Sequence, residues 1–205
     1  MAYTVDRLGK RFVRLSGDYI NWKMKEGTNW NVINVGMLAT FYAPSNNAGS
    51  LGFGLCQGTN GLGVQTPASF VGVYGTTTYV SATQINLYPT NAYACKIVAG
   101  SQTNGSAFAG NPFARLRAST ADTEMLVMVG VQIDKVNGTV KYWDYGTSPT
   151  NTSLATFKTN MISPAALSSA ITIATMPTDM DSINIYWSRS DYFLDVYAFD
   201  TYRVS

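Results

Sequence analysis

The chain has 205 residues, 46% hydrophobic and 13% aromatic, which suits one domain with a sizeable core and excludes disorder by composition. Charged residues make up only 13% and the formal net charge is +2, so Ser, Thr, Asn, Gln and Gly must cover much of the surface, and a phosphate-binding electrostatic footprint is excluded. The absence of histidine removes Ser-His-Asp and Cys-His catalysis, and two cysteines without histidine cannot build a structural zinc site.

At the N-terminus, "MAYTVDRLGKRF" lacks the charged, apolar and small-residue zones of a secretory signal. Either the protein is made and used inside a cell, or it leaves by another route such as phage assembly and lysis. Residues 1–11 read as an extended arm, with Tyr3, Arg7, Lys10 and Arg11 as assembly contacts, ahead of a single domain over 12–205. Short apolar or period-2 runs then follow one another: 11–15, 18–25, 32–43, 50–57, 69–75, 78–88, 92–100 and 112–119. The C-terminal third adds 124–134, 139–146, 152–158, 182–188 and 194–205. Val, Ile, Thr, Tyr and Phe dominate them, as a pleated, half-buried surface prefers. Between them, "APSNNAGS" and "GSQTNGSAFAGNP" read as loops. The one helix signal is "SPAALSSAI" from Ser163, with Ser at the N-cap and Pro at the first helical position. No run approaches a membrane span; the longest, "MLVMVGV" from Met125, has strand length.

The stretch "QIDKVNGTVKYWDYG" from Gln132 predicts a hairpin with a type I′ turn at Asn137-Gly138. Its first strand, apolar from Leu126 to Ile133 at nearly every position, should be central and buried on both faces. On the return, Val140, Tyr142 and Asp144 share one face, while Lys141, Trp143 and Tyr145 share the other. Trp143 and Tyr145 are then half-buried against a neighbouring loop or exposed. The expected core includes Val127, Val129, Val131, Ile183, Ile185, Val196 and Ala198. Cys56 and Cys95, in "LGFGLCQG" and "AYACKIVA", read as buried free thiols, with a disulfide between neighbouring strands as the alternative.

So many strands with so little helix imply an all-β sandwich or closed barrel. The long central strand, the "NG" return and the terminal "AFDTYRVS", with Phe199, Asp200, Tyr202, Arg203 and Val204, resemble the concanavalin A-like lectin/glucanase superfamily in its laminin-G-like form. "DSINIYWSRSDYFLDVY" is similar to the preceding strand and loop, and "GDYINWKM" to an early strand of the same jelly roll. The resemblance implies an antiparallel two-sheet β-sandwich, a fold that hosts lectins, glycanases, adhesive modules and virion proteins alike.

Glucanases of that superfamily carry Glu-x-Asp-x-x-Glu on one strand. The only glutamates here are Glu26 and Glu124, outside any such context, so no enzymatic activity is expected. Asp179, Asp181, Asp191 and Asp195 are close in sequence but read as turn and strand-end residues, so neither metal nor cofactor is expected. For carbohydrate, a Trp or Tyr face beside amides is the required combination. Among Trp22, Trp30, Trp143 and Trp187, core packing is the default. Trp30, in polar "GTNWN", is the exposed candidate, joined by Asn46, Asn47, Trp143 and Tyr145. The leading expectation is a non-enzymatic bacteriophage virion protein (a decoration, spike or tail component) that docks on other virion proteins and self-associates as a homo-oligomer, without nucleic-acid or membrane partners. The alternative is a lectin-like module that binds glycan.

Overall fold

The structure is a computed structural model that describes residues 4–5, 11–42, 49–65, 67–81, 84–86, 93–107, 114–116, 124–144, 154–164, 167–190 and 193–205. Its strands are β1 (Thr4–Val5), β2 (Arg11–Leu15), β3 (Asp18–Lys23), β4 (Val32–Tyr42), β5 (Gly49–Cys56), β6 (Ser69–Ser81), β7 (Gln84–Asn86) and β8 (Tyr93–Val98). They continue with β9 (Ser101–Ala107), β10 (Ala114–Leu116), β11 (Glu124–Asp134) and β12 (Thr139–Asp144), then helix α1 (Leu154–Ile162), β13 (Ile171–Thr172), β14 (Ser182–Trp187) and β15 (Leu194–Arg203). One sheet runs β1-β2-β15-β4-β11-β12-β13; the other runs β10-β7-β6-β5-β14-β3, with β8 also pairing β6 and β9 pairing β8. The ladders are antiparallel. The molecule is the expected two-sheet antiparallel β-sandwich.

Alternation places the core between the sheets. Val129, Val131 and Ile133 of β11 meet Val35 and Met37 of β4 from the first sheet, and Leu51, Phe53, Ile183 and Ile185 come from the second. Of the expected core, Val129, Val131, Ile183, Ile185 and Val196 are buried there, while the side chain of Val127 lies outside the described residues. Ala198 departs from the expectation for a specific reason. The register of β15 against β4 shifts between Val196 and Ala198, and this bulge turns Ala198 to the opposite face, where it packs against a second, smaller cluster. As expected, β11 is central, paired on both sides and buried on both faces.

Three local expectations are corrected. The segment 152–158, read as a strand, enters α1: Phe157 and Met161 are four residues apart and both are buried, so the spacing was helical. The helix expected from Ser163 is not there among the described residues. Ser163 N–H donates to Thr159 O at 3.1 Å as α1 ends, and Leu167 bridges to Trp143 instead. Ser-Pro here stops a helix rather than starting one, because a following proline disfavours the helical conformation. "GSQTNGSAFAGNP" contains β9, whose Ser101, Gln102 and Thr103 are exposed; an edge strand pairs through its backbone and can carry loop-like side chains.

The hairpin forms, but not with a type I′ turn. Asp134 pairs with Thr139 across a four-residue loop, in which Gly138 has φ +63° and Asn137 is not in the left-handed region. Asp134 holds the loop: Oδ1 accepts the N–H groups of Val136 (3.0 Å) and Asn137 (2.9 Å), and Oδ2 accepts Asn137 Nδ2 (2.7 Å). Partial burial would push the Asp134 pKa up, but the Asn137 and Val136 hydrogen bonds and the charge of Lys141 outweigh it and hold the pKa below its ordinary value. A carboxyl depressed in the folded state stabilises at pH above its unfolded pKa, and that contribution fades as pH falls through the folded value. Asp134→Ala is therefore expected to cost about 1 kcal/mol near neutrality, discounted for the partly exposed site. The difference from the parent should shrink on acidification, as urea titrations across the acid range will show; a gap that widens toward low pH would refute the assignment.

Candidate ligand-binding face

The expected stacking residues divide sharply. Trp30 is buried in the main core at 2% exposure, its Nε1 donating to Met180 O at 3.2 Å, with Lys135 Nζ 4.6 Å from the ring centroid. The polar neighbours that suggested exposure are loop residues, and the indole itself turns inward. Trp187 is buried too, whereas Trp22 is 55% exposed, in an edge-on contact with Phe199 at 6.0 Å between ring centroids. Trp143 is 1% exposed and lies on the outer face of the first sheet, under α1, clustered with Leu38, Met128, Phe157 and Met161. Its indole crosses Gly130 and Gly36, which are paired in register: a Cβ on Gly130 would stand 2.1 Å from Cε2, and one on Gly36 3.0 Å from Cη2. Beside it Asn34 donates to Met161 O at 2.8 Å and accepts Gln132 Nε2 at 3.1 Å. Trp143 is a packing residue, not a free platform. Asn46, Asn47 and Tyr145 lie outside the described residues, as do Tyr3, Arg7, Lys10 and the side chain of Arg11. Thr4–Val5 of the expected arm pairs with Arg11 and Phe12 at the edge of the first sheet.

The outer face of the second sheet is different in kind. Residues in register across antiparallel strands share a face. Tyr74 of β6 stands opposite Gly52 of β5, Gly52 opposite Tyr186 of β14, and Tyr186 opposite Tyr19 of β3. The next row along the strands holds Gly72, Gly54, Asn184 and Asn21, and beyond the tyrosines on the other side stand Ser50 and Ser188. The loop 57–65 packs on the asparagine side. Asn184 clamps Leu62 twice, Oδ1 accepting its N–H at 3.1 Å and Nδ2 donating to its carbonyl at 3.1 Å. Leu62 is thereby laid over Gly52, where a Cβ would stand 2.2 Å from its Cδ1. Gly63, at φ +95°, lies against the ring of Tyr19. Both glycines are needed for that close approach.

This leaves a wall of three half-buried phenols with Leu62 filling the gap over Gly52, and a ledge of small hydroxyl side chains beside it. Among the described residues the hydroxyls of Tyr19, Tyr74 and Tyr186 have no hydrogen-bond partner. Burial, with the neighbouring Tyr74, pushes the Tyr186 phenol pKa up, so it stays a neutral donor. Lys23, at the end of β3, is the only charged side chain that β3, β14, β5 and β6 place on this face. Asn46 and Asn47 are four and three residues from Ser50 along the chain. Sequence parity put each tyrosine on one face of its own strand; which strands are neighbours was the missing information.

The aspartates and cysteines have local roles. Asp181 Oδ1 accepts from Gly58 N–H (2.7 Å) and Ser182 Oγ (2.9 Å), and Asp195 holds Arg14 through two contacts of 2.7 Å. Among the described residues no group of three or more His, Cys, Asp and Glu gathers to hold a metal. Cys56 and Cys95 are buried and free. Burial pushes both thiols up to about 12, aided at Cys56 by the charge of Asp181. Cys95 faces Gly72, which faces Gly54, two residues from Cys56, so two inter-strand steps of about 4.8 Å separate them, beyond disulfide reach.

No family model matches the chain, and no curated protein does. Among solved structures it is similar to the Emp46p carbohydrate recognition domain in its potassium-bound form, with a TM-score of 0.42 and 9% identity, over 98% of this chain and 86% of that one.

Proposed function

We propose that this β-sandwich is a non-enzymatic carbohydrate-binding module whose ligand sits on the tyrosine wall of the second sheet. One observation carries the reading: three tyrosines in register, half-buried, with hydroxyls unpartnered among the described residues, on a face that is almost uncharged. A sugar offers C–H faces to aromatic rings and hydroxyls to polar side chains, and it brings no charge to be neutralised. The likeness to a carbohydrate recognition domain adds nothing to this reading. Lattice docking in a bacteriophage virion rests on composition and on an arm whose expected contact side chains lie outside the described residues, so the glycan reading takes precedence. Display of such a module on a particle is compatible with it.

A glycan array followed by calorimetric titration of the best ligand tests the proposal. Tyr186→Ala should weaken binding by about tenfold, the loss of one well-placed aromatic contact, without changing the far-UV circular dichroism. An array that finds no neutral glycan, or an affinity untouched by both Tyr186→Ala and Tyr19→Ala, would overturn it.

A further inference from the structure

The shape of the wall bears on what kind of sugar it takes, given the function proposed above. Tyr74, Leu62 over Gly52, Tyr186 and Tyr19 stand on or over four consecutive strands, β6, β5, β14 and β3, in one register line. Neighbouring strands lie about 4.8 Å apart, so the line is about 14 Å long and runs perpendicular to the strands. One step is close to the length of a pyranose unit in an extended chain. The accessible groups along the line are alike, three half-buried phenol rings, with Leu62 buried between Tyr74 and Tyr186 as their support. A single deep pocket would favour one terminal sugar held by converging polar groups. Here the apolar contacts are spread along a line, and the polar ones, Ser50 and Ser188, follow the same line on one side.

We infer that the ligand is an extended, neutral polysaccharide chain lying across the strands and engaged through several consecutive sugars. A chain with β-linked, equatorially substituted rings is a straight ribbon with C–H groups on its flat faces, and it can touch all three tyrosines. An α-1,4-linked glucan coils and leaves the line after one or two rings. Contacts spaced along one ligand are linked, so affinity should climb with chain length until the wall is filled and then level off.

The test uses the full chain and defined probes: neutral β-1,4-linked glucan, mannan and xylan oligosaccharides from two to six units, and α-1,4-linked glucan oligosaccharides of the same lengths, each titrated calorimetrically. Binding of at least one β-linked series is expected, strengthening by tenfold or more between two and four units and little beyond. Tyr74→Ala, at one end of the line, should weaken the hexasaccharide by about tenfold while changing the disaccharide little. Length-independent affinity, preference for the α-linked series, or equal effects of Tyr74→Ala on short and long ligands would overturn the extended-chain inference, yet leave the tyrosine wall as a sugar site. No binding to any neutral glycan, in these series or on the array, would overturn the site itself.

Discussion

Trp143→Ala should destabilise the protein by about 3–5 kcal/mol, the range for emptying a buried aromatic site. The indole is 1% exposed, belongs to the cluster between the first sheet and α1, and lies directly against the paired glycines Gly130 and Gly36. Its removal would leave a cavity that rigid sheet backbone cannot close. The packing also makes a sharper prediction. Gly130→Ala alone forces a methyl group into the indole, with a Cβ 2.1 Å from Cε2, and should cost about 1–3 kcal/mol. In the Trp143→Ala background the obstacle is gone, so the same change should cost far less. Urea denaturation of the two single variants and the double variant closes the cycle. Additive losses, or a loss below 1 kcal/mol for Trp143→Ala, would show that the ring is not packed as described.

The second large effect is Val129→Asp, expected to cost about 4 kcal/mol at neutral pH. Val129 is 2% exposed, faces the space between the sheets, and stands in register with Met37 of β4. An introduced carboxylate there would stand in a cluster with no charged member among the described residues, so burial must raise its folded pKa above the unfolded value. The sign follows. Below the unfolded pKa both states are protonated and only the smaller cost of a neutral polar group remains. As pH rises the penalty grows, until it levels off above the folded pKa. Thermal melts of variant and parent from acid to neutral pH should diverge upward; a soluble variant with an unchanged melting temperature would refute the placement of β11.

Most of the strands were legible because each buries one or two faces, and that constraint writes a period into the sequence. β2 and β11 were placed to the residue, and most other strands to within a few. Failures cluster where the constraint is weak. β9 has exposed polar side chains and is held through its backbone by β8, which no side-chain pattern records. α1 was missed because Leu154, Phe157 and Met161 are too few to separate a helical period from an alternating one. The Asp134 loop replaced the type I′ turn because a carboxylate at the strand end could bind the loop's own N–H groups, a competition the Asn-Gly pair does not reveal. Candidate binding residues were harder still. Trp30 looked exposed from its neighbours and is buried, while Trp22 looked like core and is exposed because β3 is an edge strand. Tyr19, Tyr74 and Tyr186 are separated by 55 and 112 residues in sequence and meet only through strand order.

The two unbridged thiols make the molecule its own stopwatch. Cys56 and Cys95 sit under the loop 57–65 and against the second sheet, protonated at any ordinary pH and shut away from reagents. An alkylating dye can reach either only when that side opens, so the rate of labelling counts openings rather than thiol chemistry. Equal rates at both cysteines would mark all-or-none unfolding, and a faster Cys56 would time the lifting of the loop alone. Because no cross-link holds the sheets together, the count should be the same in reducing and oxidising buffers.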